Sequence, residues 1–299
     1  MDNPNETREF LATRRAKITP AQAGLPDYGG TRRVAGLRRG EVAMLAGVSV
    51  EYYTRMERGS LAGVSESVLE AVARALQLNE AEQAHLHDLA RTASPASRPR
   101  RRPRPAQSVR AGVQLTLNAI TNAPAFVRNG RIDILAANPL GYALYSEMYV
   151  SPARPANHAR FIFLDDRSRS FYPDWERAAN DTVAILRTEA GRDPYDRGLS
   201  DLVGELSTRS EEFRTRWAAH NVRQHYTGLK HLHHPVVGEL HLMYEAMDVS
   251  ADAGMSLLVY NAEPGSPSED ALRLLASWAA TNQAGNQTDA APSRSGWTS

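Results

Sequence analysis

The sequence predicts two domains, an all-α N-terminal domain built around a helix-turn-helix and an α+β C-terminal domain, separated by a segment that neither helix nor sheet can absorb. Three observations predict this. Residues 36–59, GLRRGEVAMLAGVSVEYYTRMERG, hold two short amphipathic runs on either side of Gly47. Residues 94–106, SPASRPRRRPRPA, alternate proline with arginine, which forbids a helix and favours an extended, semi-rigid linker. Past residue 225 the apolar spacing changes from the helical period to strict alternation, as in ELHLMYEAM and SLLVYNA.

A chain of 299 residues with 42% hydrophobic and 23% charged residues has room for two ordinary cores. The formal net charge of +1 is unevenly spread: residues 1–110 hold 18 basic against 12 acidic side chains, and the remainder 17 against 22. A front of +6 beside a back of −5 directs any polyanionic partner to the N-terminal domain. The absence of cysteine excludes disulfides, thiolate catalysis and cysteine-based zinc sites, and fits a reducing cytoplasm. No run of about 18 apolar residues is present, so neither export nor a membrane span is expected.

In chain order, Thr7 to Arg15 predicts a helix with Phe10 and Leu11 inward and the arginines outward, and Thr19 to Ala35, with Pro20, Pro26, Gly29 and Gly30, predicts a loop. Arg32 and Arg33 within it read equally as a solvated pair or a phosphate contact. In the helix-turn-helix, Val42, Ala43, Ala46, Val48, Tyr53 and Met56 face inward, and Ser49 is placed to cap the second helix. That leaves Ser49, Val50, Glu51, Tyr52, Thr54 and Arg55 as a polar and aromatic strip suited to a major groove, with Arg38 and Arg39 on flanking phosphates. Gly59 stops the helix. Ser65 then caps SESVLEAVARALQL, with an inward stripe of Val68, Leu69, Val72, Leu76 and Leu78. Asn79 caps a fifth helix closed by Leu86, Leu89 and Ala90, on which His85 and His87 are expected as exposed polar residues.

The five arginines between 98 and 104 could also follow a phosphate backbone, beside the plain reading of a soluble spacer. The domain limits are accordingly 1–93, a linker 94–108, a second domain 109–282, and a polar tail 283–299 expected to be disordered.

REFLATRR, GLPDYGGTRRVAGLRRGEVAMLAGVSVEYYTRMERG and VLEAVARALQL resemble the N-terminal half of the MmyB-like branch of the XRE family of bacterial transcriptional regulators. RIDILAANPLGYAL, DWERAANDTVAILR, EFRTRWAAHNV, GLKHLHHPVVGELHLMYE and LVYNAEPGS extend the resemblance from about Arg8 to Trp278. One departure is Gly40, where the family commonly has an acidic helix former. The resemblance implies a lambda-repressor-like five-helix domain that binds double-stranded DNA, nucleoid-associated in the cytoplasm. It further implies a PAS-like C-terminal domain for a small apolar or fatty-acid-like ligand, a homodimer, and no cofactor.

Read without the family, residues 109–282 predict a helix over Val109 to Ile120 and a hairpin turning at Gly130. Helices follow over Leu140 to Met148, Trp175 to Ala190 and Leu199 to Asn221. Arg160 to Leu164 is either a short strand or a buried helical turn, and strands run over His225 to Leu232, Pro235 to Asp248 and Met255 to Asn261. Phe126, Tyr142, Tyr145, Phe161, Phe163, Tyr172, Trp175, Trp217 and Tyr244 are candidates to line a ligand cavity, as an alternative to plain core. His220, in the family's WxxHxV pattern, would offer it one polar group. The histidines at 220, 225, 231, 233, 234 and 241 show no HExxH frame or repeated spacing, so they read as strand-face polar residues and not as a metal site. No G-x-S-x-G, P-loop or Rossmann fingerprint is present, and Asp165 with Asp166 is expected to solvate a turn. An enzyme is therefore not expected. A ligand-free module for protein interaction or dimerisation remains the alternative for this half.

Overall fold

The computed structural model describes residues 3–26, 32, 34–93, 108–219 and 227–289. The first part is helical: α1 (Asn3–Lys17), α2 (Arg39–Ala46), α3 (Val50–Glu57), α4 (Glu66–Ala75) and α5 (Glu80–Ala93). They enclose one core, in which Phe10, Leu11, Leu37, Val42, Tyr53 and Met56 have no exposed surface. Asn79 caps α5 as its sequence requires: Glu82 N donates to Asn79 Oδ1 at 3.0 Å and Asn79 N to the Glu82 carboxylate at 3.1 Å. Ser65 holds the N-cap position of α4, but its hydroxyl bonds Ser67 at 3.1 Å and caps nothing. The described part of residues 19–35 is turn and coil.

Two expectations of side-chain exposure fail here, each because the side chain meets a partner far along the chain. Arg14, expected outward, is buried: it lies four residues after Phe10, so the same face carries both, and its guanidinium sits 5.6 Å over the Phe10 ring and pairs with Glu82. His85, expected exposed, is also buried, edge-on to Phe10 at 4.9 Å with Nε2 3.6 Å from Glu6.

The chain continues through α6 (Ala111–Ala119), β1 (Ala125–Asn129), β2 (Ile134–Ala137), α7 (Pro139–Leu144), α8 (Ser146–Tyr149), α9 (His158–Leu164) and α10 (Arg167–Phe171). Then come α11 (Trp175–Arg192), α12 (Arg197–Arg209), α13 (Glu211–Ala218), β3 (Thr227–His234), β4 (Gly238–Asp248), β5 (Met255–Asn261) and α14 (Pro267–Asp289). The strands form one antiparallel sheet in the order β2-β1-β5-β4-β3.

Arg160 to Leu164 is the helical alternative, as part of α9. The helix expected over Leu199 to Asn221 breaks at Ser210, whose φ of −132° and ψ of 114° leave the helix while its hydroxyl accepts from Phe213 N at 3.2 Å. Serine at that point starts a new helix in place of continuing the old one. The Arg-Pro linker lies outside the described residues, and of the tail expected from 283, residues 283–289 belong to α14 while the rest lies outside the described residues.

By its contacts the chain divides into two compact units, Met1–Pro105 with Ala179–Gln224, and Ala106–Ala178 with His225–Ser299; the division falls within α11. In the first unit Arg187 of α11 is buried, paired with Glu6 and donating to Trp217 O, with its guanidinium 3.7 Å over the Trp217 ring. In the second, α6 covers one face of the sheet through Leu117, Ala125, Val127, Ala136 and Met255. The opposite face buries Phe126, Leu240, Leu242, Tyr244, Leu258 and Tyr260.

Candidate functional site

Gly47 ends α2 with φ +66°, a conformation costly for any side chain, and the next amide, Val48 N, reaches back to Ala43 O at 3.0 Å. The turn delivers Ser49 to the N-cap of α3, where its hydroxyl accepts from Tyr52 N at 3.0 Å. The phase of α3 is thereby fixed. Tyr53 and Met56 are fully buried, while Val50, Glu51 and Arg55 are exposed and Tyr52 and Thr54 half-buried. The Arg55 guanidinium lies 4.7 Å over the Tyr52 ring, which holds it along the helix.

A shallow concavity of about 320 Å³ runs along this face, lined by Val50, Glu51, Thr54, Arg55, Arg58 and Ser60. Arg58 and Ser60 were not among the candidates; Arg58 follows Arg55 by three residues, and that spacing is the signal that places it on the same face.

Beneath this face Glu57 is buried and holds three helices together. Arg15 grips its carboxylate with two bonds of 3.0 and 2.9 Å, and Arg39 adds one of 3.1 Å. Burial pushes the Glu57 pKa up, but the two arginines outweigh it and hold the group below the usual carboxylate range. Arg39, a candidate phosphate contact, is thus already engaged, with half of its side chain exposed. Arg38 is exposed, and its backbone N donates to Glu41 at 2.7 Å. Arg32 grips Glu41 with two bonds of 2.9 Å, a role that neither reading of it anticipated; Arg33 lies outside the described residues.

In the second unit the uncovered question is what the inner sheet face holds. Phe126, Tyr145 and Tyr260 pack with ring centroids 5.6 to 6.2 Å apart, and His158 and Phe171 join them. The Tyr145 and Tyr260 hydroxyls are 3.0 Å apart, and burial raises both pKa values, as it does that of Tyr172. Arg128, next inward residue after Phe126 on β1, is set among these tyrosines. Desolvation lowers its pKa, and no described carboxylate pairs with it; Asp248, in the same cross-strand row, is held by Ser256 at 3.0 Å. Burial, then Arg128 and Lys230, pull the His158 pKa down to about 3, so this imidazole is neutral at physiological pH. Among the described residues no carboxylate forms an ion pair with Arg128.

The helical face and this interior agree with two family models. One, the MmyB-like transcription regulator ligand binding domain, matches residues 109–275, more than half of the chain; the other, a helix-turn-helix domain, matches residues 29–86. The chain belongs to the MmyB-like transcription regulators. No curated protein matches it. It is a DNA-binding transcription regulator with a ligand-binding domain. No described helix is long and apolar enough to cross a membrane.

In this MmyB-like domain the expected cavity residues divide. Phe126, Tyr145, Tyr172 and Tyr244 stand in or beside the tyrosine-lined interior, and Phe161 packs on Phe171 at 5.7 Å. Phe163 and Trp175 pair with each other at 6.0 Å, the Trp175 indole donating to Ile162 O at 3.2 Å. Tyr142 is exposed and lines, with Tyr149, Ile134, Arg154 and Trp278, a separate groove of about 750 Å³. Trp217 belongs to the other unit, where it stacks on Phe213 at 5.5 Å, and His220 lies outside the described residues. Arg128, His158, Phe171 and Tyr260 were missed. An arginine in the inward phase of an apolar strand, as in AFVRN, is the signal that could have found the first. Asp165 serves a turn: Arg167 holds its carboxyl below the usual range.

Proposed function

We propose that this regulator acts as a homodimer that reads a near-palindromic DNA site with α3 and answers a small apolar ligand bearing an anionic group in its PAS-like domain. The reading of DNA rests on one observation: Tyr53 and Met56 lock α3 inward, which leaves Val50, Glu51, Tyr52, Thr54 and Arg55 free to meet base edges. Arg38, Arg55 and Arg58 make no ion pair among the described residues and are the cations available to phosphate or guanine. In a dimer the two α3 helices would stand about 34 Å apart, one turn of DNA. Selection of bound duplexes from a random pool tests this. Wild type should enrich a two-fold site, and Arg55→Ala and Thr54→Ala should each relax it at defined bases. An unchanged selected sequence for both variants would remove α3 from the interface.

The ligand reading is supported by Arg128. A guanidinium drawn among tyrosines with no ion-pairing carboxylate among the described residues is costly, and a bound anion would offset that cost. The antiparallel order β2-β1-β5-β4-β3, with helices α7, α9 and α10 inserted in the chain between β2 and β3, supports the PAS-like description. Ligand occupancy would alter DNA affinity only insofar as the ligand binds one arrangement of the dimer better than another. A second reading, a ligand-free interaction module, is favoured by Leu229, Met243 and Met247, about half exposed on the outer sheet face. Ligand extracted from the purified protein separates the two.

A further inference from the structure

Three of the histidines that are scattered along the sequence meet with a carboxylate on the β3–β4 hairpin. The register sets His231 opposite His241 and His233 opposite Glu239. Alternation puts all four on one face, since Leu232, Leu240 and Leu242 are fully buried on the other. The His231 and His241 rings stack with centroids 4.2 Å apart and planes 17° from parallel, so the two imidazoles lie side by side. One ring nitrogen of each and one oxygen of Glu239 lie within 4.8 Å of one another. Glu239 bonds His231 with one oxygen, and with the other it meets His233 Nδ1 at 2.9 Å.

We infer that this face binds a divalent transition metal of the zinc class through His231, Glu239 and His241. Donors at 2.0–2.1 Å around a tetrahedral ion are about 3.3 Å apart. Closing from the present separations takes side-chain rotation alone, because all three groups sit on an unbroken ladder and reach solvent. Two imidazoles and one carboxylate are the donors that zinc, cobalt and nickel accept, whereas calcium and magnesium prefer oxygen. The fourth position faces water. His233 does not coordinate; by bonding the second oxygen of Glu239 it aims the first, the outer-shell role that tunes many metal sites. Lone surface histidine–glutamate pairs have no such convergence. The ion would staple β3, the edge strand of the sheet, to β4. The site is independent of the interior around Arg128.

Chelator-treated full-length protein titrated with Zn²⁺ by calorimetry, and with Co²⁺ by visible absorption, tests this. One equivalent should bind, with the absorption of a four-coordinate cobalt ion. His231→Ala and His241→Ala should each weaken binding about 100-fold or more, and His233→Ala about 10-fold, while circular dichroism and thermal unfolding in chelator stay as in wild type. His87→Ala, on α5, should bind as wild type. Binding of less than one equivalent, or a titration unchanged in both His231→Ala and His241→Ala, would overturn the site and leave only adventitious binding to surface histidines.

Discussion

Two inward-facing charges, Glu57 in the helical domain and Arg128 in the sheet domain, are treated in opposite ways. Glu57 is enclosed by two arginines that supply three bonds, and its pKa is held low. Arg128 is surrounded by tyrosines, pairs with no described carboxylate, and shares its interior with Lys230 and a neutral His158. A paired buried charge fixes geometry: here it locks α1, α2 and α3 in the arrangement that aims the outer face of α3. An unpaired one cannot serve that purpose and costs stability instead. On the proposed reading, the contrast separates scaffold from binding site.

The comparison can be broken in graded steps. The largest effect is expected from the pH dependence of the sheet domain. His158 has a folded pKa near 3 against 6.5 for the free group. Because the folded value is depressed, protons bind the unfolded chain first, so stability is full above about pH 6.5 and falls as pH drops toward 3. The limiting slope is about 1.4 kcal/mol per pH unit. Chemical denaturation between pH 4 and 7 measures it, and His158→Gln should flatten the curve; equal slopes would show that His158 is not held neutral.

Next, Glu57→Ala should cost about 3 kcal/mol in the helical domain, at the lower end for breaking a buried pair because Arg15 and Arg39 keep contact with water. Urea unfolding would read this, and a loss under about 1 kcal/mol would mean that the ion triad is not a clamp. Arg55→Ala should cost about 1–3 kcal/mol of discrimination at one base pair, with folding unaffected, in competition binding of matched and mismatched duplexes. Smallest is Gly40→Ala, whose added Cβ would stand 3.9 Å from Val50 Cγ2, an ordinary contact. It should raise the unfolding midpoint by an amount equivalent to at most about 1 kcal/mol; destabilisation would place a hidden constraint at that turn.

What the sequence disclosed follows from which interactions are local. Gly47, Ser49 and the spacing of Tyr53 and Met56 announce the turn and the phase of α3 within a dozen residues, and the structure keeps all of them. The Asn79 cap was equally legible. Arg14 and His85 were misread because their burial depends on a partner far along the chain, Glu82 in one case and Glu6 in the other. Ser210 was read as helical because its spacing fits, although its hydroxyl acts on the next helix. The tyrosine-lined interior was half legible. Aromatics could be nominated by type, but Arg128, His158 and Tyr260 meet only through strand order and register, as do His231, Glu239 and His241. No spacing along one strand encodes a pairing across two.

The central claim, that Arg128 is left without an anion so that a ligand can supply one, is tested most directly by Arg128→Leu. The variant should unfold at the same or a higher denaturant midpoint than ligand-free wild type, and intact-mass analysis under native conditions should show an anionic ligand retained by wild type and absent from the variant. A variant that is destabilised by several kcal/mol, or that holds the ligand as wild type does, would contradict the account.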